Sequence, residues 1–399
     1  MTNGVGRQPG ALVTGADYRG LGVVRSLGRK GIPVWVLRDP EHPLAAASRY
    51  TRRSLEWPQG DDATKVAFLA DLADRRGLTG WVLIPTTDEV VSMVAHHHDL
   101  LAERFQLTTP PWDRVEWACD KRCLNELADE AGIAHPWTAH PLTPDDVASL
   151  DPPFPVIVKP AVRESLNRLT SDKAWRADDR RSLMTLHAEA TSLLPPQQVM
   201  VQELIPGNGQ SQYSFAALCQ HGLPLASVVA RRVRQYPSEF GRFSTFVESV
   251  DEPEVAIEGE RLLRAAAYTG VVEIEFKRDA RDGRLKVLDA NPRVWGWHTL
   301  TQREGPDFSY LLWRMVRGET VNGGRARAGQ QWMRMDVDLA VAAREILGGR
   351  LSLRQYLAAF ALGVESAIFA ADDLLPGAVQ LGLVEYMAIS QAIARIWSA

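Results

Sequence analysis

Cysteine is scarce: Cys119, Cys123 and Cys219 are the only three in 399 residues. That excludes a disulfide framework and fits a reducing compartment. Long apolar runs are missing as well. The most apolar stretch, Tyr356 to Asp372, is broken by Glu365 and falls short of a bilayer span, so it reads as a buried helix. Met1 to Gly10 lacks the apolar core of a signal peptide. The cytoplasm is therefore the expected location, with no membrane partner. A net charge of -4 provides no global field, which argues against nucleic acid as a partner. There is no internal repeat and no low-complexity tract. Lysine is rare beside arginine, which makes the positions of Lys121 and Lys159 informative.

What is present is an ordinary globular composition, 45% hydrophobic and 24% charged, in a chain too long for one core. The first hundred residues read as βα units: strands at 11–15, 31–37 and 80–85 alternate with helices at 21–29 and 63–76. Such alternation predicts a parallel sheet covered on both faces. The turn from Gly15 to Gly22 superficially resembles a dinucleotide fingerprint, but its glycine spacing differs. A tight turn into a helix explains it better than a nicotinamide site. His96, His97 and His98 diverge around a helix and read as a solvated face.

Beyond Pro110-Pro111-Trp112 the pattern changes. A helix over 115–132 holds Asp120-Lys121 and puts Cys119 and Cys123 four apart. The strand 154–160 delivers Lys159 at its end. A polar loop follows, with Arg163, Asn167 and Arg168, then a helix over 178–192 and the strand 199–205. Strands at 211–218 and 225–234 and a helix over 253–269 precede a hairpin. The tail reads as amphipathic helices, at 337–347 and 383–396.

The hairpin is the most informative element. Its arms, 271–277 and 285–293, alternate in polarity, and Asp282-Gly283 centres the turn. Folding about that centre sets Glu275 opposite Asp289, with Glu273 and Asn291 one step along on the same face. Opposed carboxylates about 5 Å apart repel unless a cation lies between them. An oxygen-only set suits magnesium, which keeps waters and binds phosphate oxygens. A solvent-facing hairpin with ordinary surface acids is the alternative. In the strand ending at Arg234, Arg232 and Arg234 share a face with no acid nearby in sequence. Such a pair calls for an anion, unless it is a solvated edge.

Taken in order, Asp120-Lys121, Val158-Lys159-Pro160, Val201 to Gly207, Glu273-Ile274-Glu275-Phe276 and Leu288 to Arg293 resemble the ATP-grasp superfamily. Within it the chain is similar to the carboxylate–amine ligases, from about residue 11 to about 318. The resemblance implies an ATP-grasp fold, α/β and α+β. Its parts would be a Rossmann-like domain at 10–112, a small lid subdomain at 113–202, a large subdomain at 203–322 and a helical C-terminal extension at 323–399. It further implies ATP and Mg2+ (Mn2+ as a substitute). Lys121, Lys159, Arg163 and Arg168 would meet phosphates, and Arg232 would join them on the strand-face reading above. Gln202, Glu203, Leu204 and Ile205 would meet adenine. Glu275, Asp289 and Asn291 would hold the metal, where family members more often carry Glu at the place of Asp289. Arg293 would clamp the acyl phosphate or the tetrahedral intermediate, with a salt bridge to Glu273 as the structural alternative; apart from the resemblance, the shared strand face would put Arg234 in the active site on a phosphate or a substrate carboxylate. The loop 163–168 lacks the usual glycines, and Asn208, Gln210 and Gln212 stand where a ribose-binding acid is common.

The implied activity is amide or peptide bond formation through an acyl phosphate, on small carboxylate and amine substrates, by a chain that could form a homodimer. A non-catalytic nucleotide-binding module and an NAD-dependent oxidoreductase are the alternatives.

Overall fold

The computed structural model describes residues 8–161, 167–207, 209–236, 241, 243–361 and 363–383. Among them no helix is long and apolar enough to cross a membrane.

The N-terminal unit is a five-stranded parallel sheet in the order β3-β2-β1-β4-β5. Its strands are β1 (Ala11–Thr14), β2 (Val34–Arg38), β3 (Thr51–Glu56), β4 (Val82–Pro85) and β5 (Gln106–Leu107). β1 and β4 are buried throughout, as a sheet with helices on both faces requires. The sequence pattern predicts β1, β2 and β4 but not β3, whose Thr-Arg-Arg-Ser-Leu-Glu run is half exposed at the sheet edge. The glycine-rich turn enters the helix Tyr18–Gly28, capped by the Asp17 carboxylate, which accepts from the N–H groups of Arg19 (2.9 Å) and Gly20 (3.3 Å). A Cβ at Gly20 would stand 2.1 Å from the Gly15 carbonyl, so packing explains that glycine. An acid already occupies the helix N-terminus where a dinucleotide pyrophosphate would have to bind.

The expected helix over 115–132 is two helices, Trp112–Cys119 and Lys121–Glu130. Asp120 between them is extended and caps the second through the N–H of Arg122. Cys119 and Cys123 therefore do not share one continuous helix face. Both are free thiols, pushed up to about 12 and about 11 chiefly by burial.

A small sheet follows, in the order β6-β9-β7-β8: β6 (Thr138–Ala139), β7 (Val156–Pro160), β8 (Trp175–Ala177) and β9 (Val199–Glu203). The helix Arg180–Leu193 packs on it through Leu183 and Ala190.

The third, eight-stranded sheet runs β14-β13-β10-β11-β12-β16-β17, with β15 paired beside β11. Its strands are β10 (Gln212–Gln220), β11 (Leu223–Tyr236), β12 (Phe243–Ser249), β13 (Gly270–Arg278), β14 (Leu285–Asn291), β15 (Gly324–Arg325), β16 (Gln331–Met333) and β17 (Val364–Ser366). Strand alternation lets β10 serve two cores. Phe215 and Ala217 join the helices Trp112–Cys119 and Pro253–Ala265 on one face. Ala216 and Leu218 meet Trp295, Phe308 and Trp313 on the other. That second core also takes in Val23, Val24 and Leu27 of the N-terminal unit.

As far as residue 383 the tail has helices Met335–Leu347, Leu353–Ala361 and 375–383, but it also adds β16 and β17 to the sheet, and the expected helix over 383–396 lies outside the described residues beyond 383. The apolar stretch from Tyr356 to Asp372 is thus a helix to Ala361 and then a strand, not one buried helix. Its short strand hydrogen-bonds in register with β16, a long-range pairing that local periodicity does not reveal.

Candidate functional site

The hairpin β13–β14 sets Glu275 opposite Asp289 and Glu273 opposite Asn291, in the register the alternation predicts. A bulge follows between Glu275 and Phe276, so the turn side slips by one residue without disturbing the acidic face. All four side chains are buried. The repulsion between the acids is met by two cations from elsewhere in the chain. Lys121 Nζ lies 2.8 Å from Asp289 Oδ1, and an Arg232 guanidinium nitrogen lies 3.2 Å from Glu275 Oε2.

Around this pair the polar groups interlock. Glu275 accepts from Gln212 Nε2 (2.6 Å) and from Asn291 Nδ2 (3.4 Å). Glu273 accepts from Ser214 Oγ (2.9 Å), Trp297 Nε1 (2.9 Å) and Asn291 Nδ2 (3.3 Å). Burial, then the Glu275 charge, pushes the Glu273 carboxyl up to about 7, against the pull of Arg232, Ser214 and Arg293. Both acids thus orient the Asn291 amide, whose oxygen accepts from Arg293 at 3.1 Å.

Glu275 and Asp289 line one cleft with Ile157 and Lys159 of β7, Gln202 and Glu203 of β9, Leu204, Ile205 and Gln212. The cleft thus lies between the small and large sheets. Lys159 Nζ donates to Gln202 Oε1 (2.7 Å), whose amide nitrogen donates to Thr138 Oγ1 (3.0 Å). The Glu203 side chain turns away from the strip, accepting from Arg281 and from Lys286 (3.3 Å). Lys277 also lines the cleft and donates to the Ile205 and Gly207 carbonyls, both at 2.9 Å; burial lowers its pKa. Gln212, which the resemblance places near the ribose, lines the cleft too, and Lys173 and Lys277 are cleft residues that sequence reasoning did not assign. For Lys277 the signal was available, since Glu273, Glu275 and Lys277 follow one strand at period two.

Three sequence-based candidates stand differently from expectation. Arg293 makes a bidentate pair with Asp88 (2.6 and 2.9 Å), an acid of the N-terminal unit, and not with Glu273. Arg234 does not share an anion site with Arg232: a bulge in the β11–β12 ladder separates them. Arg234 instead forks onto Asp338 at 2.9 and 2.7 Å, over the rings of Phe246 and Tyr356. The acid it needs arrives from 104 residues further along the chain, which removes the reason to expect an external anion there. Arg168 is largely exposed and pairs with Glu189 at 2.5 Å. Arg163 lies outside the described residues, as do 164–166 of the same loop and Asn208. His96 stacks on Trp112 at 4.1 Å between centroids, while His97 ends its helix.

The donor set suits a hard divalent cation: two opposed carboxylates and an amide, all oxygen, at the end of a cleft lined by lysines. No group of three or more His, Cys, Asp or Glu converges among the described residues. An ion held by Glu275, Asp289 and Asn291 would therefore draw its remaining ligands from phosphate and water.

Solved structures share this architecture at low sequence identity. An L-amino acid ligase from Bacillus licheniformis matches with a TM-score of 0.61 at 15% identity, over 78% of this chain and 75% of that one. The biotin carboxylase domain of Hydrogenobacter thermophilus 2-oxoglutarate carboxylase, a dimer solved with MgADP and bicarbonate, matches at 0.62 and 14% identity, over 82% and 74%. An N5-carboxyaminoimidazole synthetase from Staphylococcus aureus matches at 0.61 and 14% identity, over 86% of each chain. No family model and no curated protein sequence matches the chain. The fold is that of the ATP-grasp proteins.

Proposed function

We propose that the protein is an ATP-dependent carboxylate–amine ligase, with ATP between the small and large sheets and magnesium on Glu275, Asp289 and Asn291. The observation that carries this reading is the Glu275–Asp289 pair, buried, opposed and met by Arg232 and Lys121. A surface hairpin would not enclose its acids or recruit cations from two other elements. The neighbours' names support it: one is an L-amino acid ligase and another was solved with MgADP.

In this reading a carboxylate oxygen of the substrate attacks the γ-phosphorus of ATP. The bond to the β-phosphate oxygen breaks, giving an acyl phosphate and ADP. An amine nitrogen then attacks the acyl carbon, loses a proton, and phosphate leaves with the C–O bonding pair. Bound magnesium offsets charge on the phosphate oxygens. The chain's own residues supply position and field. Lys159, at the end of β7, meets a phosphate as a point charge. Lys121 exchanges part of its contact with Asp289 for a phosphate oxygen. Gln202 to Ile205 receive adenine along β9, with backbone groups doing the reading, since the Glu203 carboxylate is engaged by Arg281 and Lys286. Arg293, held by Asp88 and touching Asn291, is set to stabilise the tetrahedral oxyanion. The small sheet, closing on the large one, excludes water that would hydrolyse the acyl phosphate. The carboxylate substrate in this reading is an amino acid or small peptide.

Phosphorus NMR of Mg-ATP with the protein and pooled amino acids and small carboxylates tests this reading. ADP and phosphate formed only with the pool are the expected result. AMP and pyrophosphate would replace it with adenylation. Intact ATP alongside tight Mg-ADP binding would make the protein a non-catalytic nucleotide-binding module.

A further inference from the structure

A second cavity, of about 400 Å³, shares Asp289 with the nucleotide cleft and extends toward the N-terminal unit. That volume suits a small molecule and is too small for a protein segment. Asp289, Ala290 and Asn291 of β14 line it together with Asp62 and Glu89 of the N-terminal unit and Trp112. Any group activated at Asp289 is therefore open to a ligand lying in this cavity.

The charges of the walls decide what that ligand is. Asp88 is engaged by Arg293, and Asp289 by Lys121. Asp62 and Glu89 make no ion pair among the described residues, and Lys121 is the one cation among the lining residues. First-turn acids are common at helix N-termini, where the dipole favours them. These two, on different helices, face the same cavity as the reactive hairpin, and Trp112 lies stacked on His96 beside them. Carboxylates around an aromatic face make a receptor for an organic cation.

We propose that this cavity receives the amine substrate as a small organic cation with two positive groups, such as a diamine or a basic amino acid. Resting on the ligase reading above, the assignment puts one nitrogen beside Asp289, where it gives its ammonium proton to solvent and reacts as the free amine. The second ammonium or guanidinium is held by Asp62 and Glu89, and Trp112 covers the carbon chain between them.

Calorimetry on the full chain with Mg-ADP, titrating cadaverine, pentylamine and glutarate, tests it. Cadaverine is expected to bind saturably and about tenfold more tightly than pentylamine, with no binding of glutarate. The double variant Asp62→Asn/Glu89→Gln should lose that preference and keep the Mg-ADP affinity of the parent; both side chains are exposed, so the fold survives. Trp112→Leu should weaken both amines alike. Absent cadaverine binding, equal binding of the two amines, preferred glutarate, or a double variant that still discriminates would each overturn the proposal. Cadaverine binding without any Mg-ADP binding would sink the ligase reading and leave the cation cavity standing.

Discussion

Lys121 Nζ donates to Asp289 Oδ1 at 2.8 Å, tying the first residue of the helix Lys121–Glu130 to the acidic arm of the hairpin. Both side chains are mostly buried, so neither charge is screened well by solvent. The contact sets a cation against Asp289 beside Glu275, at the edge of the cleft proposed to take phosphate. Asp289→Asn keeps the shape and removes the charge. It should cut ATP turnover by about 100-fold or more, the scale seen when a preorganised electrostatic group is lost. Circular dichroism should match the parent; normal turnover by a folded variant would discard the metal assignment.

Arg234 and Asp338 form a pair with side chains only 10% and 0% exposed. Breaking such a pair leaves an uncompensated buried charge and costs roughly 3–5 kcal/mol. Asp338→Asn should lower the denaturation midpoint accordingly. Substituting both partners, as Arg234→Met/Asp338→Leu, should recover most of the loss. A selective rise in KM with unchanged stability would return Arg234 to the substrate site.

Glu273 gives the protein a pH signature. Burial, with help from Glu275, raises its carboxyl from 4.5 to about 7. A group whose pKa is higher folded than unfolded stabilises fully below the unfolded value and loses that contribution as pH rises through the folded one. Without metal or nucleotide, stability attributable to Glu273 should therefore decline between pH 4.5 and about 7. Glu273→Gln removes the ionisation, so its melting temperature should fall less over that interval. Parallel profiles for parent and variant would reject the assignment.

The tail is clasped to the N-terminal unit by Asp373, which accepts from Arg25 Nε (2.9 Å), Ser48 Oγ (2.7 Å) and the Arg49 N–H (2.9 Å). Asp373→Ala strips partners from the buried Arg25 and should cost roughly 3 kcal/mol or more. Limited proteolysis should then cut the tail faster than in the parent. Unchanged cleavage and stability would show that the clasp carries little of the attachment.

Local pattern made much of this protein legible. Period-two alternation and the Asp282-Gly283 turn placed Glu275 opposite Asp289, because hairpin register follows from the turn and the few residues around it. Buried apolar strands separated by helices announced the parallel N-terminal sheet for the same local reason. The family resemblance, not local pattern, assigned Lys159 to phosphate and Gln202 to adenine; the structure makes them hydrogen-bonded neighbours on adjoining strands of the small sheet. Other features had no local signal. The edge strand β3 is too polar and too exposed to stand out, and Asp120 divides what reads as one helix. Tertiary structure alone decided the partners of the arginines. Arg293 met Asp88 across 205 residues and Arg234 met Asp338 across 104. A guanidinium's need for an anion can be read from sequence, but which acid satisfies it depends on how distant elements pack, because an ion pair acts over a few ångströms of space and is indifferent to separation along the chain.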